Sequence, residues 1–418
     1  MLIKPKKITI NGKFWDVYIY ENKLYLFTFE NKEVIVVDWR EFVSQFCKDD
    51  RFLLAYRCAF WNGDYLYSCA QSGIFDDNEF KEVLLNKFKN VTDIDVNVGD
   101  ENLLRFDTNG KKSQYPKYFA DMDVYNNKMF LGCEDGIYCS SIRSKSLKRK
   151  PYLNFYNIEE TKNINVSSLK FLSGGDLLIS AQDGGLFEYN TFIAKRIEDD
   201  DGNYINCTPL NSISSEHSSY VGTNYSSIMS ASYIKAPIFI QRGYQENEYT
   251  KQKERYDKQT YSISEIFGDE EQKGFYFSCN ERIYQILNGK IRYALFSQKE
   301  NDKEKVFYNI QEVENISNVK SEDIISASVE TFGIVIECKN KIIVLLSDNS
   351  FYEYGNDENN KIISYRTYPR SNCYINHLHI VYENRIEIIS FNQDYFEDQK
   401  NKNFGMRFVN TTKKRLIK

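Results

Sequence analysis

A chain of 418 residues with 54 Lys and Arg against 59 Asp and Glu carries a formal net charge of −5. That balance excludes a broad field able to gather nucleic acid or an anionic membrane. Only 6 Pro and 20 Gly argue against a collagen-like or disordered chain, and 15% aromatic content, with 32 Tyr and 29 Phe, suits strands packed face to face. The nine cysteines are odd in number and form no Cys-x-x-Cys pair, which points to buried free thiols in a reducing compartment rather than to disulfides.

The opening residues, Met1-Leu-Ile-Lys-Pro-Lys-Lys7, lack the apolar core of a signal peptide, and Ile8-Thr-Ile10 starts a strand instead. Residues 6–37 predict three strands with turns at Glu21-Asn22 and Asn31-Lys32. Asp38 with Glu41 three residues on predicts a helix cap, and Trp39, Phe42, Val43 and Phe46 then share one helical face. A second helix is expected from Asn78 to Phe88, with Phe80, Leu84 and Phe88 on one side. Residues 91–106 alternate as a strand does (Val91, Ile94, Val96, Val98). Within them Asp93-x-Asp95-x-Asn97-x-Gly99 sets oxygen donors at alternate positions, as a calcium loop would. Val98 occupies the place where an EF-hand turn needs Gly, so a strand with one solvated face is the preferred reading.

Met129-Phe-Leu-Gly-Cys133-Glu-Asp-Gly136-Ile-Tyr-Cys139 reads as two apolar strands around a tight Asp135-Gly136 turn. Related hairpins start at Leu24, Tyr65, Leu177, Phe275, Ile334 and Leu378, with weaker copies at Leu103 and Tyr220. Cys69, Cys133, Cys279 and Cys338 take one equivalent position in it, as small buried hydrophobes. One hairpin per roughly 40–50 residues is the rhythm of a β-propeller, in which units too small to stand alone stack and close their sheet edges. The expectation is an all-β chain, 1–418, forming a single β-propeller of WD40-like kind with four-stranded antiparallel blades. Seven blades are counted, eight if the weak copies are included, with the two short helices lying between blades.

The phrase Phe130-Leu-Gly-Cys-Glu-Asp-Gly136-Ile-Tyr resembles the repeat of two-component-regulator-type propellers, in which an apolar pair precedes Gly-Thr, a turn and Gly-Leu/Ile-Tyr. Cys133 stands where that repeat has Thr. The resemblance implies the fold and carries over no functional residue.

Between the hairpins, Arg143–Lys150 is a basic connector and Glu198–Asn203 a polar loop whose Asp199-Asp-Asp-Gly202 is a lesser ion candidate. Residues 242–273, rich in Gln, Glu, Lys and Tyr, predict a long insertion loop, partly helical or mobile. Arg242, Tyr244, Tyr249, Arg255, Tyr256 and Tyr261 recur among its charges, and Tyr and Arg are favoured interface anchors, so these six are the expected partner-binding residues. The basic tail 401–418 holds Met406-Arg-Phe-Val409, a strand able to close the ring.

No catalytic constellation competes with that surface. There is no Gly-x-Ser-x-Gly elbow and no phosphate-cradling loop, and the only histidines are His217, His377 and His379. His377 and His379 fall on one side of a strand near Cys373, the sole arrangement that zinc could use. Ordinary strand histidines explain them more simply. The longest aliphatic run, Ile342–Leu346, is far too short to cross a bilayer. The expected function is a non-enzymatic, cytoplasmic interaction module that binds a protein partner through loops on one propeller face, with no cofactor, metal, nucleic acid or membrane. The rivals are a propeller hydrolase or lyase with a site at the central channel, and a small-ligand sensor.

Overall fold

The computed structural model describes residues 3–46, 51, 53–62, 74–91, 93–96, 113–142, 153–171, 175–191, 197–198, 204–205, 207–212, 217–222, 226–232, 238–246, 253–268, 274–279, 282–296, 307–316, 319–346, 349–356, 360–371 and 373–392. The hairpins at Tyr65 and Leu103, the connector 143–150 and the tail strand at Met406 lie outside them.

Local chemistry sets the hairpins. Glu21-Asn22 (φ 44° and 64°) and Asn126-Asn127 (φ 47° and 60°) form two-residue turns with both centres left-handed, the twist-matched type that Asn tolerates. At Met129 the loop itself is Glu134-Asp135, because Cys133 pairs with Gly136. Gly136 is needed for another reason: at φ 129° a Cβ would stand 2.7 Å from the Thr161 carbonyl oxygen.

The described strands make six sheets of four or more strands and one two-stranded ribbon. The first sheet is Phe14–Tyr20, Lys23–Thr28, Glu33–Asp38 and Ser113–Gln114. The second is Asp121–Tyr125, Lys128–Cys133, Gly136–Ser141 and Tyr156–Asn157. The third is Ser168–Phe171, Asp176–Ser180, Leu186–Asn190 and Cys207–Asn211. An eight-stranded sheet follows over residues 217–315. After it come a sheet from Ile324–Val329 to Phe351–Gly355 and the closing sheet that begins with Ile362–Thr367. The meanders are antiparallel and the first strands of successive sheets approach one another, giving an all-β propeller with four-stranded blades.

Among the described residues the sheets of four or more strands number six, not the seven or eight blades expected from the hairpins. The hairpins at Tyr220 and Phe275 belong to one sheet, whose two four-stranded halves are joined by a parallel contact between Tyr220 and Cys279. The repeat also shifts phase: the copies at 24, 129, 177, 334 and 378 are second and third strands, whereas those at 220 and 275 are first and second.

Closure comes from the N-terminal end. Lys6–Asn11 pairs antiparallel with Arg385–Ser390 in full register, Ile8 opposite Ile388 and Ile10 opposite Ile386. Ile94–Val96 adds a parallel strand outside it, so the Asp93–Gly99 stretch is strand in its described part and the Asp93 carboxylate accepts from the Lys7 amide. The helices are not inter-blade connectors as expected. Trp39–Phe46, Leu53–Tyr56 with the π-helical turn Arg57–Trp61, and Asn78–Asn90 all lie between the third and fourth strands of the first sheet. They pack Trp39, Phe42, Phe60, Leu84 and Phe88 into one core with Ile8, Val17, Ile386 and Ile388. Asp38 does cap the first helix through the Glu41 amide. Asp77 caps the longer one, whose Phe80 remains 42% exposed.

The insertion expected over 242–273 is also revised. Ile238–Glu246 pairs with Lys253–Tyr261, and a short helix Ile263–Phe267 follows behind a Ser262–Glu265 capping box. Tyr and Thr favour a pleated, half-solvated strand, and cross-strand pairing outweighs the hydrophilic composition that read as a loop.

Candidate functional site

Five of the six predicted contact residues fall on the paired strands Ile238–Glu246 and Lys253–Tyr261. Tyr261 is buried (5% exposed) with Ile266, Phe267, Tyr276 and Ile283, so it serves the core. Tyr244 opposes Arg255, Tyr256 opposes Gly243 and Arg242 opposes Ser227, all as ladder positions of paired strands. Tyr249 lies outside the described residues.

Two other features stand out. The first is a polar belt on the first strands of four sheets. Arg366, in the closing sheet, donates through Nε to both Asp16 oxygens at 3.1 and 3.2 Å, pairs with Asp121 of the second sheet, and reaches the Met122 carbonyl at 3.2 Å. Asp121 also accepts from the Leu169 amide at 2.8 Å, and Asp123 from the Phe171 amide at 3.1 Å, tying in the third sheet. Arg370 closes on Asp123, which also accepts from the Val124 amide at 2.8 Å and the Tyr18 hydroxyl at 3.4 Å. Burial works against the Arg366 charge, but Asp16 and Asp121 more than offset it and hold the guanidinium well above its usual range. Each carboxylate is therefore spent on a charge-assisted bond.

Beside the belt, Ser326 shares its hydroxyl between Glu337 (2.7 Å) and Tyr365 (3.0 Å). Two residues along the same strand face, Ser328 Oγ is buried without a hydrogen bond, and so are both oxygens of Glu330. The Thr367 and Ser328 hydroxyls stand close to Glu330 and Lys170 bears on it electrostatically, yet burial dominates and pushes its carboxyl up to about 7.

The second feature is an aromatic platform. Trp15, Phe29 and Tyr118 touch in a triangle, with ring centres 4.7 Å (Trp15–Tyr118), 5.9 Å (Trp15–Phe29) and 5.5 Å (Phe29–Tyr118) apart. Phe29 is 40% and Tyr118 39% exposed. Their polar handles are already used: Trp15 Nε1 donates to the Phe119 carbonyl at 3.0 Å and the Tyr118 hydroxyl to that of Phe29 at 2.9 Å. Lys32 sits 4.8 Å above the Tyr118 ring. Trp15 opens a first strand, Phe29 lies in the turn between second and third strands, and Tyr118 precedes the next first strand. In an antiparallel meander those three places share one end of the sheet. The helical insertion leaves from the opposite end. The platform was hidden because its residues are far apart in sequence; the signal was an aromatic at each of three connection points.

The candidate zinc pair is structural. His377 and His379 are fully buried and bonded to each other, to Tyr368 and to the Ala59 carbonyl. Among the described residues no group of three or more His, Cys, Asp or Glu could hold a metal. The thiols Cys133 and Cys338 are free and buried, the first pushed up to about 12 by burial. Among the described residues no helix is long and apolar enough to cross a membrane.

No family model and no curated protein matches this chain. Solved structures similar to it include virginiamycin B lyase from Staphylococcus aureus (11% identity, 65% of this chain and 94% of that one, TM-score 0.36). The Cps50 (Swd1) beta-propeller domain of Myceliophteria thermophila is another (8% identity, 66% and 97%, TM-score 0.39). A third is the COPII outer coat vertex on membranes (11% identity, 67% and 71%, TM-score 0.41). The fold rests on the chain's own strand pairing.

Proposed function

We propose that this protein is a non-enzymatic interaction module that binds a partner protein through one face of its propeller, within the cytoplasm. The observation that carries the reading is the Trp15–Phe29–Tyr118 platform: large, rigid rings, partly exposed, with their hydrogen-bonding groups already spent. Such groups gain from desolvation by a partner and lose little conformational entropy. The commitment of Asp16, Asp121 and Asp123 to Arg366, Arg370 and backbone amides supports it too, since paired carboxylates are poor general bases. We count the eight-stranded sheet as two radial blades, making seven. The strand pair around Tyr244, Arg255 and Tyr256 is a second contact surface.

The test is an affinity capture from native cells with three baits. Phe29→Ser/Tyr118→Ser is expected to lose the partners that wild type retains, while Tyr244→Ser/Arg255→Ser/Tyr256→Ser loses a different set. Identical capture by all three would refute the reading. The rival, a channel enzyme or ligand sensor, draws on Glu330, a buried carboxyl raised toward neutral pH just past the strand Ile324–Val329. Under that reading a small polar molecule raises the Tm of wild type and not of Glu330→Gln.

A further inference from the structure

His377 and His379 project from one side of His377–Tyr382, a strand of the closing sheet buried along its whole length. His377 Nε2 lies 2.8 Å from the Ala59 carbonyl, which can only accept, so that nitrogen carries the proton. His377 Nδ1 must then accept, and it faces His379 Nε2 at 3.4 Å, which therefore donates. His379 Nδ1 is left to accept from the Tyr368 hydroxyl at 2.9 Å. One proton pattern satisfies the whole chain: Tyr368 to His379 to His377 to Ala59. Both rings are neutral in it, and adding a proton to His377 Nδ1 would set two N–H groups head to head.

The far end of this relay is the π-helical turn Arg57–Trp61 of the inserted helices. Its last carbonyls are plugged by side chains from outside the turn: Ala59 O also accepts from Ser390 Oγ at 2.7 Å, and Phe60 O from Trp39 Nε1 at 2.5 Å. Nothing charged from the turn faces the imidazoles, which meet the Ala59 carbonyl and the Phe60 ring at 6.0 Å. From the sheet side they meet Tyr368, Tyr374 and Ser390, with Asn376 bonded behind Ser390. Arg366 stands directly opposite His379 in the ladder, its guanidinium held by Asp16 and Asp121, while Asp16 and Arg366 also act on Tyr368, and Arg40 and Asp38 on Tyr374. Among the described residues no carboxylate is positioned to stabilise an imidazolium.

We propose that the Tyr368–His379–His377–Ala59 relay is an acid-sensitive latch, holding the helical turn Arg57–Trp61 against the closing sheet at neutral pH and releasing it on acidification. Burial lowers His377 to about 4 and holds His379 well below its usual value, so the latched form resists protonation while a released one takes up protons below about 6.5. Each pH unit below 6.5 then multiplies the released population by up to about tenfold per histidine, roughly a hundredfold for the pair.

Pulsed hydrogen exchange at pH 7.5, 6 and 5, normalised to the unfolded chain at each pH, tests this. Peptides covering residues 53–62 are expected to lose protection by pH 5 while those covering 14–20 and 121–125 keep it. In His377→Gln/His379→Gln, whose amides do not titrate, that pH dependence disappears. Imidazole nitrogen NMR of wild type, needed if the variant does not fold, is expected to show both rings as neutral Nε2–H forms at pH 7.5. Loss of protection everywhere at once, retained protection of 53–62 at pH 5, the same pH dependence in a folded double variant, or a histidine titrating near 6.5 with the turn still protected would each overturn the latch.

Discussion

Arg366 offers the sharpest perturbation, because one side chain bridges three sheets. Its side chain is 12% exposed, against 3% for Asp16 and 20% for Asp121. Replacing it with Met keeps much of the apolar stem and strands two carboxylates whose bonds it supplied. Removing one partner of a buried pair costs about 3–5 kcal/mol, because the remaining charge is left without compensation. Arg366→Met should therefore lower stability by about 4 kcal/mol in urea unfolding. The triple variant Asp16→Asn/Asp121→Asn/Arg366→Met removes the stranded charges and should recover at least half of the loss, since neutral amides still accept from the Val17 and Met122 amides. A loss below about 1 kcal/mol for Arg366→Met, the range of an exposed pair, would refute the argument. So would a triple variant no more stable than the single one.

Three further outcomes follow from the same structure. The Glu330 carboxyl, raised from 4.5 to about 7 by burial, binds its proton more tightly folded than unfolded. Stability should be greatest below pH 4.5 from this group and fall by about 3 kcal/mol as pH rises through 7, a slope that Glu330→Gln removes in urea titrations at pH 5 and 8. Gly333 holds φ 155°, and a Cβ there would stand 2.0 Å from the Leu345 carbonyl oxygen. Gly333→Ala should cost at least about 1–3 kcal/mol from the backbone alone, read by the urea midpoint. Cys133 and Cys338, pushed up to about 12 and about 11 by burial, should stay unmodified by a thiol reagent at pH 8 until the chain is unfolded, as peptide mapping would show.

Much of the architecture was legible because a hairpin needs only local signals. The two-residue turn at Glu21 and the apolar runs at Met129, Leu177 and Ile334 are complete within a dozen residues. What escaped depends on distance. Hairpins that are second and third strands in one sheet are first and second in another, so counting them could not give the sheet number. The polar run around Tyr244 looked like a loop because its pairing partner, not its composition, makes it a strand. Arg366 was invisible as a site residue, since Asp16 and Asp121 lie hundreds of positions away. The alternation of His377 and His379 puts them on one strand face, but only Ala59, from the helical insertion, reveals what they hold.

The ring is closed by its own first strand, and a single cross-link measures that. Thr9 and Glu387 are directly opposed in the antiparallel pair that joins Lys6–Asn11 to Arg385–Ser390. Opposed positions lie about 4.5–5.5 Å apart between Cα atoms, within the roughly 4.4–6.8 Å that a disulfide spans. In Thr9→Cys/Glu387→Cys, mild oxidation followed by peptide mapping should recover positions 9 and 387 joined within one chain, while Thr9→Cys/Arg385→Cys, one ladder step off, should join far less. Failure of the opposed pair to join, or equal joining by the offset pair, would contradict a closed propeller.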